Sequence, residues 1–137
     1  MKIKPFLIHT VALATVLIGS TVAADETMNT AQLSALITGN TLYVDIPSGA
    51  PGAPEGGTAP IYYSEDGSAA AQLPAGLNLV GTWTLDEGRY CIDWDNGPKN
   101  SCSQLVRGSD GFVVMDVALG EPRGMITRIA TGNAEDL

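Results

Sequence analysis

The sequence contains a single histidine, His9, and only two cysteines, Cys91 and Cys102, among its 137 residues. Basic residues are also scarce, with seven lysines and arginines against fifteen aspartates and glutamates. These shortages limit the catalytic and metal sites that the chain can build. The N-terminus, which holds the only histidine, limits them further.

The N-terminus has the pattern of a cleaved secretory signal peptide. Two lysines form a short basic region, an apolar run follows over residues 6–18, and small residues over 21–24 suit signal peptidase. The apolar run is shorter than the roughly 20 residues that a membrane anchor needs. The sequence therefore predicts a cleaved signal peptide over 1–24 and a single β-rich domain over 25–137. We expect the mature protein to be periplasmic or secreted, without a membrane anchor.

Cleavage would remove the only histidine and two of the basic residues. A chain without histidine cannot build a Ser-His-Asp triad, a Cys-His pair or a zinc site that uses histidine. Fifteen acidic and five basic side chains would remain, a net charge of −10. Such a charge repels nucleic acid and anionic lipid and favours a basic protein or cations as partners, although solubility alone also explains it.

The order of the predicted elements indicates the fold class. Residues 30–40 read as one short helix, which Thr30 can cap and Gly39 can end, and 41–46 read as a strand. Short alternating runs then recur between turns that contain glycine and aspartate. These further strands are predicted at 61–64, 68–73, 79–85, 89–94, 102–107, 112–117 and 125–130.

The predicted fold is mainly β: an antiparallel up-and-down sheet or a small, partly open barrel with one short N-terminal helix. Residues 47–60 are more than half proline and glycine, which predicts a long loop that is either functional or disordered. The polar residues 131–137 are expected to fray.

The stretch from Cys91 to Cys102, CIDWDNGPKNSC, predicts a hairpin closed by one disulfide. Pairing the two cysteines directly places Trp94 opposite Lys99 and leaves a four-residue loop, 95–98. Alternation then puts Trp94 on a core face and Asp93 on an exposed face. The ten intervening residues do not suit a redox C-x-x-C pair, and a zinc site lacks further ligands.

Acidic side chains are the remaining candidates for a site. Asp93 and Asp95 resemble the start of a calcium loop, but the later positions of the EF-hand pattern do not match, so no metal or other cofactor is predicted. Asp86, Glu87, Asp93 and Asp95 are instead predicted as contacts for a partner or a cation. No catalytic residue is assigned, because a glycosidase-like pair needs two opposed carboxylates across a cleft.

Gly81-Thr82-Trp83 resembles the G-x-W signature of lipocalin-like barrels, where the motif lies on the first strand rather than in the middle of the chain. An exported signal is followed by a short helix, Gly-Asn-Thr-Leu-Tyr (39–43), Tyr-x-x-Asp-Gly (63–67), G-x-W (81–83) and C…W…C. This order resembles small secreted β-domain proteins of proteobacteria, and the resemblance spans residues 31–107. That resemblance implies a β-domain and no particular activity.

Three functions are therefore considered. The first is a non-catalytic binding or accessory module, which would use either an apolar barrel mouth gated by loop 47–60 or its acidic surface. The second is a proteinaceous inhibitor of a basic enzyme, and the third is a carboxylate-based hydrolase. The expected partners are a basic protein or a small apolar ligand.

Overall fold

The computed structural model describes residues 26–137, so the predicted signal peptide lies outside the described residues. No helix within this range is long and apolar enough to cross a membrane. The elements are β1 Glu26–Thr27, α1 Thr30–Ile37, β2 Asn40–Ile46, β3 Gly57–Tyr63, β4 Ser68–Gln72, β5 Asn78–Asp86, β6 Arg89–Trp94, β7 Ser101–Gly108, β8 Gly111–Asp116 and β9 Pro122–Thr131.

Strands β2 to β9 form a closed antiparallel barrel of eight strands. Each strand pairs with the next one along the chain, and β9 returns to pair with β2. The two-residue strand β1 adds to β7 outside this ring. The mainly β, antiparallel prediction with one short helix is confirmed. The structure further shows that the barrel is closed, so β2 to β9 have no free edge along most of their length.

One end of the barrel is covered by α1, and we call it the helix end. The helix contacts β5 and β6 as well as β2, which lies on the opposite side of the ring. Leu33 and Ile37 are fully buried there, as the apolar stripe of the sequence predicts. The predicted cap is wrong by one residue: Asn29 caps the helix in a capping box with Gln32. Thr30 instead accepts a hydrogen bond from the backbone N–H of Gly88 at 2.6 Å.

Four longer connections surround the other end of the barrel, which we call the mouth. They are residues 47–56, 73–77, 95–100 and 117–121. The proline- and glycine-rich loop is shorter than predicted, because β3 begins at Gly57 rather than after Pro60. Pro60 has no backbone N–H to donate, but β3 tolerates it. It lies opposite β2, and β4 pairs with β3 only from Ile61 onward, so no strand on that side requires a donor at Pro60.

The proline- and glycine-rich loop 47–56 is folded back on itself. Gly49 donates a backbone hydrogen bond to Pro54, and Ala53, which is completely buried, donates one to Ala50. A further backbone bond joins Ala75 to Gly52 and ties this loop to the loop 73–77. The segment therefore has a defined conformation at the mouth.

The C-terminal residues do not fray as predicted. Residues 132–137 pack along the outer face of β2, where Thr41 donates a 2.6 Å hydrogen bond to the carbonyl of Gly132. The hydroxyl of Tyr43 donates to Glu135, and the Arg128 guanidinium lies 3.9 Å from the centre of the Tyr43 ring. These contacts bury two outward-facing side chains of β2, which alternation alone would leave exposed.

The hairpin between β6 and β7 contains the predicted disulfide, Cys91–Cys102. The predicted register is confirmed for three pairs, from Tyr90 opposite Ser103 to Ile92 opposite Ser101. The Cα atoms of the cysteines are 4.0 Å apart, which suits a non-hydrogen-bonded pair.

The predicted pairing of the hairpin fails beyond Ile92. Asn100 adopts a left-handed conformation with φ of 49°, and its N–H donates to the Asp93 carboxylate. The N–H of Trp94 donates to the carbonyl of Pro98, so Trp94 and Lys99 do not form a ladder pair. The loop therefore spans 95–100 instead of the predicted 95–98.

Candidate functional site

A cavity of about 490 Å³ occupies the mouth half of the barrel. Its size falls within the range of about 300–1,000 Å³ that small-molecule sites typically have. Every barrel strand contributes to its lining, because the inward-facing residues of each strand alternate with outward-facing ones. The mouth loops complete the lining with six further residues: Pro47, Ala50, Pro51, Leu73, Pro98 and Leu119.

Strands β2 to β6 supply an apolar side of the cavity, which we call the apolar wall. The residues are aliphatic or aromatic, and most of them are buried among their neighbours in the barrel core. They are Val44, Ile46, Ile61, Ala71, Leu79, Ile92 and Trp94. The predicted inward face of β6 is confirmed, since Tyr90, Ile92 and Trp94 are buried while Asp93 and Asp95 are exposed.

On the opposite side, β7, β8 and β9 contribute Val114 and Pro122 together with four polar residues that we call the polar wall: Ser101, Ser103, Asp116 and Arg123. The Nε of Arg123 donates to Oδ2 of Asp116 at 2.6 Å, and its Nη2 forms a second contact with the same oxygen. Its Nη1 donates to the hydroxyl of Ser101. The charged side chains and the serine hydroxyls of the lining therefore lie together on one side of the cavity.

Asp116 is ionised and held by several donors. Its Oδ1 accepts the backbone N–H of Leu119 at 2.9 Å, and the backbone N–H of Ala118 also contributes. The Leu119 hydrogen bond, followed by the bonds and charge of Arg123, lowers the pKa of the Asp116 carboxyl despite the opposing effect of burial. The Asp116 side chain also holds the loop 117–121 through its bond to Leu119, and Gly120 donates its backbone N–H to the backbone carbonyl of Asp116.

Arg123 reaches the cavity because of an irregularity in β9. Met115 pairs with Pro122, whereas the preceding residue, Val114, pairs with Gly124, so Arg123 is the extra residue of a β-bulge. Bulges reorient side chains in this way. Gly124 accompanies the bulge, since a Cβ there would lie 2.4 Å from the carbonyl oxygen of Asp45.

Two tyrosines contribute polar atoms deeper in the barrel. The rings of Tyr63 and Tyr90 meet edge to face, with centroids 5.8 Å apart, and both side chains are almost completely buried. Burial raises the pKa of Tyr90 to about 12 and that of Tyr63 well above its ordinary value. Both hydroxyls are therefore neutral donors at physiological pH, and the Ser103 hydroxyl lies beside that of Tyr90.

The four predicted contact residues do not form one site. Asp86 and Glu87 lie at the helix end, next to the turn between β5 and β6, whereas Asp93 and Asp95 lie on the outer surface toward the mouth. Asp86 pairs with Arg89 at the start of β6, and Asp93 lies four positions further along that strand. This spacing corresponds to about 13 Å. None of the four lines the cavity. Over the described range 26–137, no group of three or more His, Cys, Asp or Glu side chains is placed to hold a metal.

The sequence predictions omitted the polar wall. A signal for Asp116 was present, because Phe112, Val114 and Asp116 alternate along β8 and two of them are apolar. An acidic residue in the inward phase of a strand is an unusual feature that could have been singled out. No comparable signal identifies Arg123, whose inward direction depends on the bulge.

No protein-family model, curated protein or solved structure gives a significant match to this chain.

Proposed function

We propose that this protein binds a small, mainly apolar molecule in the barrel cavity and performs no catalysis on it. The observation that supports this most directly is the 490 Å³ cavity with one apolar wall and a few convergent polar groups. Such a combination of apolar lining and few orienting polar groups is typical of small-molecule sites. The ligand would gain affinity chiefly by removing its apolar surface from water.

The loops at the mouth support the same proposal. Pro47, Ala50 and Pro51 of loop 47–56 line the cavity together with Leu119 of the loop 117–121. Leu119 is 72% exposed, which is the largest exposure of any large apolar side chain in the described part of the chain. A ligand that entered between these loops would cover this side chain, so the mouth is the entrance that we propose.

The alternative functions find less support in the geometry. The cavity lining contains one carboxylate, Asp116, and it is paired with Arg123 rather than opposed to a second acid. A carboxylate-based hydrolase needs such an opposed pair. The acidic residues that an inhibitor of a basic enzyme would use are divided between the two ends of the barrel, which favours no single inhibitory loop.

The proposal can be tested with N-phenyl-1-naphthylamine, an uncharged probe whose fluorescence rises in apolar surroundings. The probe should bind the purified, oxidised protein with one site per chain. Ala71→Phe places a large side chain in the cavity and should weaken binding at least about tenfold. Ala70→Phe is the matched control, because Ala70 is the neighbouring residue on β4, is not part of the cavity lining and should retain binding.

Circular dichroism and thermal unfolding of both variants would show that they remain folded. The proposal is wrong if the unsubstituted protein does not bind the probe. It is also wrong if a folded Ala71→Phe variant binds as tightly as the Ala70→Phe control.

We further propose that the protein acts after export, as a periplasmic or secreted protein. The disulfide supports an oxidising compartment, where such bonds form and persist. The N-terminal pattern of residues 1–24 supports the same location.

A further inference from the structure

We propose that the ligand of the barrel cavity is uncharged and presents a hydrogen-bond acceptor, such as a ketone, ester or quinone oxygen, to the polar wall. This inference rests on the proposed binding function and adds the chemical class of the ligand. It follows from which donors and acceptors of the polar wall are already used by the protein.

The only carboxylate of the polar wall is mostly occupied by groups of the protein itself. A carboxylate offers about four lone-pair positions. Asp116 uses three of them, one for the backbone N–H of Leu119 and two for N–H groups of Arg123. A ligand that presents only donors would therefore find little acceptor capacity on this carboxylate.

Donors of the polar wall, by contrast, remain available. The guanidinium of Arg123 has five N–H groups, and its contacts to Asp116 and Ser101 occupy three of them. Ser101 accepts one of these bonds, so the proton of its own hydroxyl is left to donate. Two kinds of donor thus face the cavity side by side, and an oxygen acceptor on the ligand could use both.

The charge of the polar wall argues against an anionic ligand. The positive charge of Arg123 is balanced by Asp116, and the two side chains are 37% and 11% exposed. A ligand carboxylate would bring a further negative charge next to an ionised Asp116 in a largely apolar cavity. Burying an uncompensated charge costs far more than a neutral hydrogen bond returns. A neutral acceptor avoids this cost and still receives hydrogen bonds from the wall.

The apolar wall defines the remainder of the ligand. It offers aliphatic and aromatic surface on β2 to β6, directly across the barrel from the donors of β7 to β9. An engineered cavity of about 150 Å³ holds benzene, so a bicyclic aromatic body fits well within this space. The expected ligand is an apolar ring system with a carbonyl or ether oxygen along one side.

Three naphthalenes with matched bodies test this inference by displacement of N-phenyl-1-naphthylamine. They are 2-acetylnaphthalene, with a neutral acceptor, 2-ethylnaphthalene, with none, and 2-naphthoate, with a charged one. We expect the ketone to bind about threefold to tenfold more tightly than the ethyl compound, the gain that one net hydrogen bond to the wall would give. The naphthoate should bind most weakly at pH 7.

Ser101→Ala should reduce the preference for the ketone over the ethyl compound, because one donor is lost. Ser109→Ala is the matched control, since Ser109 is exposed in the turn between β7 and β8 at the helix end. That variant should keep the full preference.

The possible results separate the two proposals. If N-phenyl-1-naphthylamine itself does not bind, the binding function fails and this inference fails with it. If the probe binds but the ketone has no advantage over the ethyl compound, or the naphthoate binds best, the inference on ligand class is wrong and the binding function stands. An unchanged preference in Ser101→Ala would also contradict the assigned role of the polar wall.

Discussion

Single residues decide both the shape of the barrel and the character of its cavity. Gly81 of β5 lies so close to β6 that a Cβ would approach the carbonyl oxygen of Asp93 to 2.1 Å. The G-x-W motif therefore has a local steric reason for its glycine, whatever family it resembles. Asp116 acts differently: it orients Arg123 toward Ser101 and anchors the loop 117–121 at the mouth.

Replacing Asp116 should make the free energy of unfolding depend less on pH in the acidic range. Asp116→Asn should lower the free energy of unfolding at pH 7 by about 1–2 kcal/mol, since charge-assisted hydrogen bonds are lost at a partly exposed ion pair. The folded-state pKa of Asp116 lies below its ordinary value of 3.8. The stability that the ionised Asp116 carboxylate contributes is therefore fully present above pH 3.8. It is lost as the pH falls through the lower pKa of the folded state.

Urea unfolding at pH 7, 5, 3 and 2 would measure this difference. The gap between the unsubstituted protein and Asp116→Asn should be constant from pH 7 to 5 and should narrow at the two acidic values. Asp110→Asn, in the exposed turn between β7 and β8, serves as the control and should leave stability nearly unchanged. A gap that stayed constant down to pH 2 would refute the assigned role of the ionised carboxylate.

Among the elements, the hairpin of β6 and β7 contributes most to the site. It places Tyr90, Ile92 and Trp94 on one strand and Ser101 and Ser103 on the next, so it joins the apolar wall to the polar wall. The disulfide crosses this hairpin on the opposite, outer face. Asn96 further fixes the hairpin loop, because its amide donates to the carbonyl of Asn78 at the start of β5.

Removal of the disulfide should destabilise the protein without changing the shape of the cavity. The double variant Cys91→Ser, Cys102→Ser should lose about 3 kcal/mol of unfolding free energy, as expected for the closure of so short a loop. The effect arises mainly in the unfolded chain, so the folded variant should keep its affinity for N-phenyl-1-naphthylamine.

Denaturant titration and probe binding, each at low temperature, would measure the two quantities. Reduction of the unsubstituted protein should reproduce the result of the double variant. A stability loss below about 1 kcal/mol, or loss of probe binding by a protein that remains folded, would show that the bond has another role.

At the scale of the whole molecule, barrel closure creates the cavity. The pairing of β9 with β2 joins the two ends of the chain's strand series, and the C-terminal residues then cover the outer face of β2. The helix closes one end of the ring, and the longer loops leave the other end as the mouth. Apolar surface that an open sheet would expose is thereby enclosed, which is why an interior site exists at all.

The proposed export concerns the whole chain and has a simple test. Intact mass analysis of the protein from the exported fraction should show a chain that begins at Ala24 or Asp25, since cleavage is expected after Ala23 or Ala24. The measured mass should be two mass units below that of the reduced chain, because formation of the disulfide removes two hydrogen atoms. Recovery of a chain that retains residues 1–24 in the cytoplasmic fraction would contradict the proposal.

The sequence by itself determined the features that depend on neighbours along the chain. The alternation of β6, the buried stripe of the helix and the pairing of Cys91 with Cys102 are set by residues within about a dozen positions of one another. These predictions are confirmed, apart from shifts at element ends and beyond Ile92. Local periodicity is sufficient for them because each concerns one element or one hairpin.

Only the tertiary structure decided which side chains face one another inside the barrel. Closure depends on strands from opposite ends of the chain, and Arg123 turns inward through a bulge whose register involves β8 and β9 together. A one-residue change of register moves a side chain to the other face of a sheet, so no local pattern can locate it. For that reason the sequence did not indicate the polar wall, which the structure places on one side of the barrel cavity.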